Sequence, residues 1–428
     1  MTPEANRAYH SAVTWNPPGI RTWTSRGPAS LLLGVAITLP ACVAGGPGEP
    51  AGWAANAQSQ LAHEWDRAAD TPPEFRQRLA ESPMAFFRFV NRPWTHAVCD
   101  AFADETKQLP TARLHGDAHV EQYAVTATAR GLDDFDDSAR GPAVVDMVRF
   151  IGSLELAAEQ RGWRTSLPPA IDAFFEGYRQ ALDSPAYLPS DPAVVRRLRT
   201  EPLKSPLEFL AWADSLMEPV GPDDVVRLDT SWTAVEAFAV RTDPQFTPAF
   251  LRRKEFGWFR MGIGSAFTRK LLIHVEGPSP APDDDLVLEA KEMVAFDRDS
   301  CVSIPRTSEA FRVVEGLQQM GRFDHRLVVA MPGLAGARPD GVGWWVRGWD
   351  RSYRELQVAD LESPNDLREL AHDVGAQLGA TNLFDPAGPY TSETRLAEGL
   401  AMARLESRIR QVAHELTVEL LQAWEQGR

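Results

Sequence analysis

The sequence predicts an α+β protein of two lobes, a mainly helical lobe first and a β-rich lobe second. Three observations carry that reading. From Leu61 to about Phe250, apolar residues recur at helical spacing among charged ones, with prolines at the joints. Near Glu255 the texture changes to short β-branched and aromatic runs, EFGWFRMG, FTRKLLIHVEG and LVLEAKEMVAF, divided by turn residues. Helical spacing then returns near Pro364 and persists to the end of the chain. The expected organisation is a signal segment (1–41), a flexible tether (42–60), a helical lobe (61–250), a β-rich lobe (251–360) and C-terminal helices (361–428).

Each element has a local reason. The stretch Leu61–Phe102 is helical, with breaks expected at Pro72-Pro73, Pro83 and Pro93 because proline lacks an N–H to continue the ladder. Between Arg113 and Phe135 the chain reads as a loop and a hairpin: Val120, Tyr123 and Val125 favour a strand, and Ala129-Arg130-Gly131 the turn. Val144–Gln160 is a helix with Val145, Val148, Leu154 and Ala158 on one face, and 165–250 stays helical with proline-rich joints. In the β-rich lobe a Gly-Ser turn and the polar loop Ser279–Asp285 separate the first three strands. A helix over Ser308–Met320 and two more strands, LVVAM and GWWVRGW, complete that lobe. Helices near Pro364–Gly379 and Ser392–Gln426 close the chain; Ile409, Val412, Leu416 and Leu420 keep helical spacing in the second.

The N-terminal segment reads as an export signal. Ala29–Ala41 is a run of thirteen mostly apolar residues, preceded by Arg21 and Arg26 and followed by Cys42. That is shorter than the roughly 20 residues a membrane-spanning helix needs, and it fits the apolar core of a signal peptide. Leu39-Pro40-Ala41-Cys42 resembles the lipobox of bacterial lipoproteins, so Cys42 is the expected lipidation site and the only expected link to a membrane. The alternative is a short buried helix ending at Pro40 in a cytoplasmic protein. After Cys42 the Gly/Pro/Ala-rich run suits a tether, and Cys99 and Cys301 are left as free thiols.

Composition narrows the function. With 44 Lys plus Arg against 59 Asp plus Glu, the net charge of −15 excludes a general nucleic-acid binder, which needs clustered basic residues against phosphates. A carboxylate excess is compatible with a bound cation that in turn holds a polyanion. The carboxylates concentrate in LHGDAHVEQ and in LDDFDDSARG. Asp117 and Asp134 are 17 residues apart with the hairpin between them, which returns the chain so that they approach. Close carboxylates repel unless a cation or proton lies between them. Mg²⁺ is one solution, since it takes one or two carboxylates and leaves room for substrate phosphates. The second carboxylate is then available to orient a hydroxyl and accept its proton. Gln122, five residues after Asp117, supplies a carboxamide as a further metal ligand. A rival use of the same residues is a metal-dependent hydrolase in which His115, Asp117 and His119 form an H-x-D-x-H metal site.

A second constellation lies in the β-rich lobe. Gly262, Gly264 and Ser265 at a strand-to-strand turn offer backbone N–H groups to phosphates, or simply make a tight hairpin. Lys291 sits in the apolar strand LVLEAK, where an ammonium needs an edge or a partner. Glu315, on the helix that follows, is the expected partner; a strand lysine paired with a helix glutamate positions phosphates in kinases.

Taken together, HGDAHVEQ, DDFDDSARGPAVVDMVRFIGSL, MGIGSAFTR, AKEM and RVVEG resemble the bacterial domain-of-unknown-function family 2252, as do SPMAFFRF and WWVRGWD. The resemblance spans about Ser82 to Asp385, and the family looks distantly like protein kinases and aminoglycoside phosphotransferases. It implies a kinase-like two-lobed fold in permuted order, with the metal-site segment before the glycine loop and lysine. It further implies Asp117 as catalytic base, Gln122 and Asp134 as metal ligands, and Lys291 with Glu315 as the phosphate-positioning pair. Asp146 and Arg149 fall on the family's D-x-x-R, or form an i,i+3 ion pair. The chain departs from the pattern at Gln122 (usually Asn), Phe267 (usually Gly) and Thr381-Asn382 (usually Ala-His). The expected function is Mg²⁺-dependent phosphoryl transfer from ATP to a small molecule or protein. The alternative is a catalytically degenerate, kinase-like ligand-binding or scaffold lipoprotein; an exported body would find little ATP.

Overall fold

The computed structural model describes residues 52–428 other than 70, 185, 243–245, 248, 260–267, 294–300, 305–308, 324, 332–342, 382, 383, 386, 387 and 390. The signal segment, Cys42 and the glycine turn Gly262-Ile263-Gly264-Ser265 therefore lie outside the described residues. The fold is mixed α+β with small sheets. It opens with α1 (Gly52–Ala69), α2 (Pro73–Glu81), α3 (Pro83–Phe89) and α4 (Asn91–Ala101). The composition assigns residues 52–60 to a tether, but they form the first half of α1. Ala57 and Leu61 are buried there against the helical core, and that burial outweighs the weak local propensity. Ser82 caps α3 by accepting from the Ala85 N–H at 3.1 Å, with Pro83 at the first helical position. Pro93 makes no break. It is the third residue of α4, where a backbone N–H would lack an intrahelical acceptor anyway.

Four short strands carry the Asp-rich segment: β1 (Ala112–Leu114), β2 (Tyr123–Val125), β3 (Arg130–Leu132) and β4 (Ala139–Gly141). β1 pairs antiparallel with β4, so the two ends of this segment are held together. Inside it β2 and β3 form the predicted hairpin, but its turn is Thr126–Ala129 and Arg130 and Gly131 already pair in β3; the Asp133 N–H extends that ladder to the Gln122 carbonyl at 2.9 Å. Val120–Gln122 is a 3₁₀ turn rather than part of the strand.

Five helices follow: α5 (Val144–Arg161), α6 (Leu167–Asp183), α7 (Ala193–Leu198), α8 (Pro206–Ser215) and α9 (Pro222–Thr242). α5 is buried along nearly its whole length and ends at Gly162 in the left-handed conformation. The C-terminal helices α11 (Pro364–Thr381) and α12 (Ser392–Gly427) pack into the same helical core as α1, α4, α5 and α6. α6 and α11 approach closely through glycines: a Cβ on Gly177 would lie 2.1 Å from the His372 carbonyl oxygen.

The β-rich part is one antiparallel sheet in the order β5 (Arg253–Phe259), β6 (Lys270–Val275), β7 (Leu286–Glu292), β9 (Trp344–Gly348), β8 (Val329–Met331). Side chains alternate between its faces. Leu271, Ile273, Leu288, Ala290 and Val346 pack with Leu228, Trp232 and Val235 of α9. On the other face the cross-strand rows are Phe259–Lys270–Lys291–Trp345 and Gly257–Leu272–Glu289–Arg347. α8 packs on this face at Phe259, Leu272 and Val287, and α10 (Glu309–Met320) packs around Trp345. The polar residues between those two helices stay open to the Asp-rich segment. After β9 the chain forms β10 (Arg354–Glu355), which adds to β2, and a small pair β11 (Phe384–Asp385) and β12 (Gly388–Pro389) follows α11. No helix among the described residues is long and apolar enough to cross a membrane.

Cys99 and Cys301 are not free thiols: they are disulfide-bonded, 202 residues apart. The bond ties α4 to the segment beside β4, where Ser303 pairs with Arg140. Spacing alone did not reveal it, because no local motif joins two cysteines so far apart. Replacing both cysteines by serine is expected to cost about 2–4 kcal/mol of stability. Urea denaturation under non-reducing conditions measures this, and an unchanged midpoint would contradict a formed bond.

Candidate functional site

The β1–β4 pair closes a loop whose carboxylates face the open part of the sheet. Gly116 turns this loop at φ 84°, and a Cβ there would lie 1.9 Å from the Asp137 carbonyl oxygen. Asp146, buried at the start of α5, clamps the loop by accepting the His115 N–H at 2.7 Å and the Gly116 N–H at 2.9 Å. Burial pushes the Asp146 carboxyl up. Asn91 of α4 bridges the same loop, donating to the Gly116 carbonyl at 2.9 Å and to Asp137 at 3.0 Å.

Between this loop and the sheet lies a cavity of about 490 Å³. Asp117, Gln122, Asp134 and Lys291, drawn from distant parts of the sequence, all line it. The Oδ1 of Asp117 accepts from Arg149 Nε at 3.0 Å and Nη2 at 2.9 Å. Its Oδ2 lies 3.4 Å from Gln122 Nε2 and 3.6 Å from His119 Nε2. Burial alone would raise this carboxyl, but Arg149 and His119 outweigh it and hold it below the usual carboxylate range. Arg149 in turn stacks 3.5 Å from the centre of the Phe87 ring and donates to the Phe87 carbonyl. Asp146 and Arg149 thus do not pair with each other as an i,i+3 couple; one clamps the loop and the other grips Asp117.

Asp134 adopts a left-handed conformation, φ 61°, which aspartate tolerates better than most residues. Its carboxylate lies 3.3 and 3.4 Å from Lys291 Nζ, and the same ammonium also pairs with Asp136. Burial would raise Asp134, yet Lys291, Lys270 and Arg347 together hold it low. The expected Lys291–Glu315 pair is therefore absent. Glu315 binds Arg113 Nη2 at 2.8 Å and does not line the cavity. The reason is the sheet register: Trp345 lies directly across from Lys291 and packs on α10, so it stands between the lysine and that helix.

Sequence reading missed three residues that complete the cavity. Lys270 is the cross-strand neighbour of Lys291, so two ammonium side chains rise from adjacent strands. Glu289 lies two residues before Lys291 on the same face and meets Lys270 at 3.5 Å and Arg347 at 3.4 Å. Arg347 also binds Asp133 at 2.5 Å. The Glu-x-Lys alternation in β7 was the available signal, since period-two charges in an apolar strand mark one polar face.

The H-x-D-x-H reading does not hold. Residues 115–119 form a loop, not a strand; His115 and His119 are buried and neither lines the cavity. His115 Nε2 bonds the Asp133 carbonyl at 2.9 Å. Among the described residues no three His, Cys, Asp or Glu side chains are grouped to hold a metal unaided. Two carboxylates, Asp134 and Asp136, do converge on one cation, the Lys291 ammonium. That donor set fits Mg²⁺ completed by substrate phosphates, which asks for only one or two carboxylates.

Asp133 anchors the loop to the sheet and is 1% exposed. Burial would raise its carboxyl, but Arg347 and His325, the latter at 3.1 Å, hold it far below the usual range. A depressed carboxyl stabilises the fold above its unfolded value of about 3.9, and that contribution is lost as pH falls through the folded value. Asp133→Asn is expected to cost about 3–5 kcal/mol at pH 7, with the difference from wild type shrinking below about pH 4. Urea denaturation at pH 7 and pH 3 measures both; a pH-independent difference would contradict the linkage.

Comparison with known proteins agrees with the motif resemblance over part of the chain. No curated protein and no solved structure matches it. Residues 70–205, which carry Asp117, Gln122, Asp134, Asp146 and Arg149, match the family described as "Uncharacterized protein conserved in bacteria (DUF2252)".

Proposed function

We propose that the protein transfers a phosphoryl group from a nucleotide to a hydroxyl-bearing acceptor, in a kinase-like two-lobed arrangement with permuted order. One observation carries the reading: Asp117, Gln122, Asp134 and Lys291 line one cavity, with Lys270 beside Lys291. Two neighbouring ammonium groups suit adjacent phosphates, whose charge they neutralise. Asp134 and Asp136 would hold Mg²⁺, which would supply positive charge to offset that of the phosphates during transfer; Gln122 lines the same cavity and faces Asp117. Lys291, now shared by those carboxylates, would then turn to the phosphates. Asp117 stays ionised at neutral pH and keeps Oδ2 toward Gln122, so it would orient the acceptor hydroxyl and take its proton.

Two observations favour a second reading, an exported kinase-like protein that binds ligand without turnover. Arg149 occupies one oxygen of Asp117 and lowers its basicity. The Cys99–Cys301 bond suits an oxidising compartment, as lipidation at Cys42 would require.

Calorimetric titration with Mg²⁺ and ATP tests the shared premise. Wild type is expected to bind, and Asp134→Ala and Lys291→Met to weaken binding at least tenfold; no binding, or binding untouched by either variant, contradicts both readings. Asp117→Asn separates them. Phosphoryl transfer predicts a roughly 10²- to 10⁴-fold loss of Mg²⁺-dependent ADP release with binding retained, whereas the binding-only reading predicts no release in either protein. Mass spectrometry of the cellular N-terminus tests export: a chain starting at lipidated Cys42 is expected, and an intact residue 1 contradicts it.

A further inference from the structure

One stretch of the cavity lining is aromatic. Phe209 and Trp212 of α8, Phe259 of β5 and Trp349 just after β9 all line it. Trp212 and Trp349 lie 5.9 Å apart, centre to centre, at 30°, too close to admit a ring between them, so they form a continuous wall. Phe259 meets Trp349 edge to face at 5.4 Å, which fixes the Trp349 plane, and Trp349 Nε1 donates to Glu289 at 3.1 Å. Phe209, Trp212 and Trp349 are only partly buried where they line it, and the Lys204 ammonium lies 5.0 Å from the centre of the Trp212 ring.

The sheet register relates this wall to the charged end. Phe259, Lys270 and Lys291 stand side by side on β5, β6 and β7. Two strand spacings separate Phe259 from Lys291, roughly 10 Å. A ligand whose anionic groups sit at Lys291 and Lys270 therefore reaches the aromatic wall with its other end, and a planar ring is the group that such a wall stabilises. We propose that Trp212 and Trp349 form the stacking surface for the base of a nucleotide whose phosphates lie at Lys270 and Lys291. This inference rests on the phosphate-site reading above and adds the recognition of the base. Stacking on an aromatic side chain tolerates any base, so the wall supplies affinity and position more than choice among bases.

Binding of three probes to the full chain, ATP with Mg²⁺, inorganic triphosphate with Mg²⁺, and adenosine alone, tests the assignment by calorimetry. Trp212→Leu is expected to weaken ATP and adenosine roughly 5- to 150-fold while leaving triphosphate within twofold, which also shows that the variant is folded. Trp212→Phe should restore most of the loss, and Lys291→Met should weaken triphosphate but not adenosine. ATP affinity unchanged in Trp212→Leu, or an equal loss for triphosphate, overturns the stacking site while the phosphate reading stands. Adenosine binding that depends on Trp212 without any triphosphate binding upholds the wall and removes the phosphate reading. No binding of any probe overturns both.

Discussion

Arg347 is the hinge pin of the molecule's chemistry. Its guanidinium lies on the open face of the sheet and meets the buried carboxylate of Asp133 at one end and Glu289 at the other. Asp133 sits at the close of the β2–β3 hairpin, immediately before Asp134, so this contact holds the Asp-rich loop over the strands. Two charges taken so far from water are tolerated because each has several partners: His325 also binds Asp133, and Trp349 also binds Glu289. Together with the Lys291 contacts to Asp134 and Asp136, that pairing holds the carboxylates of the loop against the sheet.

The cavity is consequently a balanced mixture of charges rather than an acidic patch. Lys291 answers Asp134 and Asp136, Lys270 answers Glu289, and Arg149 answers Asp117. The net charge of the chain, −15, says little about this site, whose acids are largely compensated. Under the proposed function an incoming polyanion would have to displace carboxylates from the lysines, and a divalent cation taking over those carboxylates would favour the exchange. Metal and phosphate are in this sense expected to bind together, each lowering the cost of the other.

Much of the fold was legible because local patterns are self-sufficient. The helix from Val144 and the strand Leu286–Glu292 each follow from spacing and β-branching within a few residues. The hairpin was legible too, and Asp117 and Asp134, which flank it, both line the cavity. What sequence could not show depended on register and on distant partners. Whether Lys291 faces Glu315 or Asp134 is decided by its place opposite Trp345, and a shift of one residue would invert the face. The Cys99–Cys301 bond and the insertion of β10 beside β2 join residues more than 200 apart. Pro93 failed as a break because its effect depends on its distance from the helix start, which composition does not encode. The roles of Asp146 and Arg149 were visible as a motif, but their partners, the His115–Asp117 loop, were not.

In the proposed function one cavity joins a phosphate site on Lys291 and Lys270 to the carboxylates of the Asp-rich loop. A crystal structure of the protein with Mg²⁺ and a non-hydrolysable ATP analogue tests it most directly. The phosphates are expected within hydrogen-bond reach of Lys291, with the metal ion on Asp134. Analogue bound anywhere else, or an empty cavity at saturating analogue, would contradict it.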